Sequence, residues 1–123
     1  MSPLEPCLHE EEHGFATLPM SAACPQGLTP VATFAEDEGP SIIATVAELA
    51  QAGLVHQPGW ARISLTLATA LDGVGLTARI ATALADAGIS CNMVAAYHHD
   101  HCFVPWQRRE DALSIIEKLE LPR

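Results

Sequence analysis

Lysine and arginine are absent from residues 1–61. The six basic residues all follow, from Arg62 to Arg123, while Glu5, Glu10, Glu11, Glu12, Glu36, Asp37, Glu38 and Glu48 occupy the basic-free half. Binding a phosphate backbone needs clustered cations, so the pattern points away from nucleic acid and from anionic membrane surfaces. The net charge of −9 serves solubility. Aromatics make up only 5% of the chain, so the core must be built from small aliphatic side chains, with helices lying close on a sheet. No apolar run reaches the roughly 18 residues of a membrane span. No basic segment followed by a hydrophobic one opens the chain, so no signal peptide is expected. Cys7, Cys24, Cys91 and Cys102 show no Cys-x-x-Cys spacing. Free thiols in a reducing cytoplasm are the expected setting.

What is present is clearest around residues 62–84. Ile63, Leu65 and Leu67 alternate with Ser64, Thr66 and Ala68, the period of a strand. Asp72-Gly73-Val74-Gly75 interrupts the run, and Leu76, Ile80 and Leu84 then recur at helical spacing. Around this centre the pattern predicts a strand over 61–69, a helix over 74–87 ended by Gly88, a strand over 89–97, a return strand over 102–106 and an amphipathic helix over 110–119. The first half reads as an irregular arm (1–12), short strands over 14–18, 31–34 and 41–45, and a helix over 46–52. Residues 19–30 hold Pro19, Pro25, Pro30 and Gly27, which break any regular pattern.

The later half thus reads β-α-β-β-α, the split βαβ or ferredoxin-like order without a certain last strand. Only residues 119–121 remain to form one, so the first half is the expected source of the missing edge. A two-residue turn at His99-Asp100 would set His98 opposite His101 and Met93 opposite Trp106. That register keeps Cys91 and Cys102 several residues apart, too far for a disulfide. It also makes both faces of the hairpin apolar, which calls for a cover from the first half or from a second subunit.

The residues Asp72-Gly73-Val74-Gly75-Leu76-Thr77-Ala78, with Ile80, Leu84, Ala87-Gly88-Ile89 and Asn92, resemble the ACT domain, with Val74 where that family usually has proline. The chain is also similar end to end to small bacterial ACT-domain proteins of unknown function. That likeness rests on Glu36-Asp37-Glu38-Gly39, the Val74-to-Thr77 turn, the Ala87-to-Asn92 step, and Tyr97-His98-His99-Asp100-His101 followed by Phe103-Val104-Pro105. The resemblance implies two ACT-like units in tandem, a degenerate one over 1–57 and a second over 58–123. It further implies an α+β, ferredoxin-like βαββαβ fold with antiparallel sheet and helices on one face. A small molecule, commonly an amino acid, would bind at an interface near the glycine turn.

The candidate ligand-binding residues are Asp72, Gly73, Val74, Gly75, Leu76, Asn92 and Glu36. Glycines admit close approach to the amides of a helix N-terminus, where the dipole suits a carboxylate. Asn92 would add a side-chain amide, and Glu36 could face an ammonium group. Alternatively Asp72 simply caps the helix and the glycines make the turn. His98, His99, Asp100 and His101 invite a metal, but alternation along a hairpin does not converge them as a structural site requires. His98 and His101 could instead repel each other when protonated. Cys102 follows His101 directly, yet neighbours on a strand point to opposite faces, so no dyad forms. No motif requires a cofactor or a catalytic step. The reading is a non-catalytic regulatory or sensory protein, forming a homodimer and binding a small molecule such as an amino acid. The alternative is an interaction or assembly module whose turn has lost its ligand.

Overall fold

The computed structural model of the chain describes residues 4–66 and 74–119. The expected strand end at Leu67, Ala68 and Thr69, the turn residues Asp72 and Gly73, and a last strand at 119–121 lie wholly or largely outside them. The elements run β1 Pro6–Thr17, β2 Ala32–Glu36, β3 Gly39–Thr45, α1 Val46–Gln51, β4 Gln57–Leu65, α2 Leu76–Asp86, β5 Asn92–Ala95, β6 Asp100–Pro105 and α3 Arg109–Glu117. Two compact units result. One is contiguous, Glu11–Trp60; the other is split, joining Met1–Glu10 to Ala61–Arg123.

In the contiguous unit the strand order is β2-β3-β1-β4. Both mapped pairings are antiparallel, His13 to Thr17 of β1 against Thr45 to Ser41 of β3, and Ala32 to Glu36 of β2 against Ile43 to Gly39 of β3. The turn between β2 and β3 needs Gly39, which sits at φ 135°. A Cβ there would collide with the Leu18 carbonyl oxygen. Helix α1 begins at Thr45, whose hydroxyl accepts from the Glu48 N–H at 3.3 Å and donates to the Glu48 carboxylate at 3.2 Å, a local capping pair. Leu49 then packs on Ile42 and Ala44, with Leu18 and Leu28 from the connecting loop. That loop, residues 18–31, occupies the sequence position of the first helix of a βαββαβ unit. Its prolines prevent one from forming, which is the physical content of the degeneracy.

In the split unit the order is β1-β4-β6-β5. The edge missing from the later half is supplied by β1: the Thr66 N–H donates to the Glu5 carbonyl at 3.1 Å. The expected irregular arm is therefore strand from Pro6 onward. Pro6 is tolerated because it is the first strand residue, where a missing N–H costs least. Ala61, Ile63 and Leu65 of β4, Cys102 and Val104 of β6, and Leu4 all face Ile80 and Leu84 of α2 and Ala112 and Ile116 of α3. Both helices thus cover one face of this antiparallel sheet. Each fully buried Leu or Ile contributes about 1.5–3 kcal/mol.

The β5–β6 hairpin closes differently from the expected register. Asn92 pairs with Phe103, Met93 with Cys102, Val94 with His101 and Ala95 with Asp100. The Ala96 N–H donates to the His99 carbonyl at 3.0 Å, so the tip is Tyr97-His98 rather than His99-Asp100. Polarity alone put His101 near the turn. In the fold its ring reaches a hydroxyl on β4, and that partner lets a polar residue lie within the strand. The shift moves every pairing along the ladder but leaves the faces unchanged, because it is even-numbered.

Candidate functional site

The described part of the glycine turn lies at the start of α2. Gly75 is the N-cap, at φ 98° in the left-handed region that disfavours side chains. Gly75 has no side chain with which to cap the helix, and no acidic residue occupies the first turn of α2. The opening amides of α2 carry the partial positive charge of a helix start. Val74 is exposed, and the Leu76 side chain packs partly into the helix-side core. Asp72 and Gly73 lie outside the described residues. Asn92 opens β5 and is exposed. Glu36 belongs to the contiguous unit, where its carboxylate accepts from the Ser41 hydroxyl.

A second polar centre, on the sheet face away from α2 and α3, escaped the sequence reading. Ser64 of β4 alternates with the core residues Ile63 and Leu65 and is itself only 5% exposed. Its Oγ lies 2.7 Å from His9 Nε2 on β1 and 2.7 Å from His101 Nδ1 on β6. A hydroxyl has one proton to give, so at most one ring accepts it and at least one donates its own N–H. The three residues consequently share linked tautomers. The His101 pKa is lowered, chiefly by burial and then by the positive charges of Arg62, His9 and His99, with Asp100 opposing them. The sequence did carry one signal: Ser64 had to face away from the core. His9 was hidden because its segment read as an arm, and His101 because it read as turn. The expected His98–His101 pair is absent, since His98 sits at the tip, 4.9 Å edge-on from the Tyr97 ring.

His9 also rims an open cleft of about 490 Å³, lined with Leu8, Trp106, Arg109 and Leu113. The Arg109 guanidinium stacks 3.9 Å over the Trp106 ring, an arrangement that holds the charge at the rim. Glu10 and Glu110 supply the opposite sign. No group of three or more His, Cys, Asp or Glu residues arranged for a metal occurs among the described residues. Cys102 lies in the helix-side core and His101 on the other face, so they form no dyad. No helix among the described residues is long and apolar enough to cross a membrane.

An ACT-domain family model matches residues 55–118, and a second ACT-domain model matches residues 1–59. No curated protein matches the chain. Among solved structures, a protein of unknown function from Vibrio cholerae, described as a possible transport protein, is 36% identical. The match covers 91% of this chain and 86% of that one, with a TM-score of 0.80. A protein from Agrobacterium tumefaciens is 24% identical over 86% of this chain and 81% of its own, with a TM-score of 0.72. The regulatory subunit of aspartate kinase from Thermus thermophilus shares the fold at 13% identity and a TM-score of 0.68, covering 94% and 97%. One family model spans the glycine-capped start of α2 and both hairpin strands, and the other spans the half with the missing first helix. This chain belongs to the ACT-domain family, whose modules are regulatory and bind small ligands.

Proposed function

We propose that the protein is a non-catalytic regulatory sensor that binds an amino acid at the turn before α2. Gly73, Val74, Gly75 and Leu76 would present backbone amides to the ligand carboxylate. Asp72 and Asn92 would add polar contacts. The observation that carries the reading is the start of α2: a glycine N-cap in the left-handed region, inside the segment matched to the ACT domain. A helix start of this kind suits a carboxylate. A cytoplasmic homodimer, with the ligand biasing its association with a partner, accords with this role.

The test is a thermal-shift panel of the amino acids on dialysed protein. One ligand, or a small related set, should raise Tm in proportion to ligand excess over its dissociation constant. Gly75→Leu should abolish that shift, because a leucine at φ 98° must rebuild the cap. Asn92→Ala, at an exposed position, should weaken the shift while leaving the unliganded Tm near wild type. A panel without any shift, or full retention in both variants, overturns the proposal. It would favour the alternative of an assembly module, for which the exposed Phe34 and Tyr97 offer apolar contacts.

A further inference from the structure

The observed hairpin register has a chemical consequence in the helix-side core of the split unit. Met93 pairs with Cys102, so Cys91, two residues earlier on the same face, is the diagonal neighbour of Cys102. The two sulfurs lie 3.1 Å apart. Cys102 is fully buried, whereas Cys91 reaches solvent. The geometry points to Cys91 and Cys102 as a modification site, a thiol pair that a hydroperoxide converts into an intramolecular disulfide.

The two thiols are not equivalent. Either thiol can donate to the other; the charge is better hydrated on the more exposed Cys91, and with the Cys102 thiol then donating to it the Cys91 pKa is lowered against the opposing effect of burial. The same bond, with burial and the nearby Cys91 charge, raises the Cys102 pKa. Cys91 is thus the accessible thiolate and Cys102 the resolving thiol, the division of labour that peroxide chemistry needs. In the first step the Cys91 thiolate attacks the O–O bond of hydrogen peroxide. A sulfur–oxygen bond forms, and the departing hydroxide takes up a proton to become water. In the second step Cys102 sulfur attacks the Cys91 sulfenic sulfur. The S–S bond forms, the S–O bond breaks, and the thiol proton leaves with the hydroxyl as a second water. Overall two thiols lose two hydrogens and one peroxide is reduced to two waters. The sulfurs need to approach by only about 1 Å to reach disulfide bonding distance, while the backbone is held by the β5–β6 ladder.

Cys7 and Cys24 act as internal controls. Both are exposed, and the Cys24 thiol donates only to the Leu28 carbonyl, at 3.7 Å. The experiment treats the reduced, full-length protein with a small molar excess of hydrogen peroxide, quenches in acid and alkylates the remaining thiols. Cys91 and Cys102 both lie between Arg79 and Arg108, so trypsin leaves them in one peptide, and cleavage after Tyr97 is needed to separate them. The expected map shows the two halves of the hairpin linked, with the loss of two hydrogens, and the link disappears on reduction. It persists in the Cys7→Ser, Cys24→Ser double variant. In Cys102→Ser the link is lost and Cys91 stops at a sulfenic acid that dimedone captures. Should that buried substitution prevent folding, the map of the wild-type protein decides alone. Cys91 and Cys102 remaining free while Cys7 or Cys24 oxidises, or bonding only to those two cysteines, overturns the inference.

Discussion

Replacing Ser64 with alanine tests the polar centre most directly. The substitution removes one oxygen and adds nothing that could clash. Ser64 is 5% exposed, and its hydroxyl is 2.7 Å from a ring nitrogen on each neighbouring strand. Each such hydrogen bond contributes about 0.5–1.5 kcal/mol net, so losing both is bounded at about 1–3 kcal/mol. His9 and His101 are only partly buried, and water can reach part of each ring. The lower half of that range, about 1–2 kcal/mol, is therefore expected. For a chain of this length it corresponds to a fall in Tm of about 4–8 °C. Urea unfolding at pH 8 gives the free energy directly. A double-mutant cycle with His101→Ala should then show a coupling of about 1 kcal/mol, because the two groups share one bond. A loss below about 0.3 kcal/mol, or strict additivity in the cycle, would mean that the hydroxyl bridges nothing in solution.

Three further outcomes follow from the same fold. Because burial and the charges of Arg62, His9 and His99 depress the His101 pKa in the folded state, the unfolded chain binds its proton first. Stability from this group is full above the unfolded value of about 6.5 and is lost as pH falls through it. Denaturation midpoints measured from pH 8 to 5.5 should decline, and His101→Gln should flatten that decline. Leu84 is fully buried beneath α2, so Leu84→Ala should cost about 2–5 kcal/mol in chemical denaturation. Gly39→Ala combines a strained φ with a collision against the Leu18 carbonyl and should cost about 1–3 kcal/mol. Gly27→Ala, at φ 83° with open space around it, should cost less, and equal losses at the two sites would refute the steric argument.

The strand–turn–helix centre was legible because its side chains obey one period at a time. Ile63 and Leu65 alternate and are buried; Ile80 and Leu84 recur one turn apart and are buried. The loop over 18–31 was equally legible, since three prolines act locally and need no tertiary information. The N-terminal strand was not. Pro6 and the glutamates around it read as loop by composition. What makes the segment a strand is a partner more than fifty residues away, with Thr66 bonded to Glu5. Long-range pairing leaves no local period to find. The hairpin tip failed for a related reason. His98-His99-Asp100-His101 is polar throughout, so polarity could not place the turn within it. In the observed register the His101 ring meets the Ser64 hydroxyl and Cys91 lies beside Cys102.

The split unit carries the consequence furthest. Its four-stranded order, β1-β4-β6-β5, is complete only when residues 6–10 lie beside β4. Leu4 is almost fully buried in the same core as Ile80 and Ile116. Without the N-terminal residues, β4 would be an open edge, with unpaired amides and a hole where Leu4 sits. His9 would also be lost from the line through Ser64 to His101. The helix start proposed to hold a ligand therefore belongs to a unit that the first ten residues finish, although they lie some sixty residues upstream. A chain cut at the loop between α1 and β4, residues 52–56, would separate the turn from the strand that closes its own sheet. The two ACT-like halves are tandem in sequence, but the stability of the second depends on the first few residues of the first.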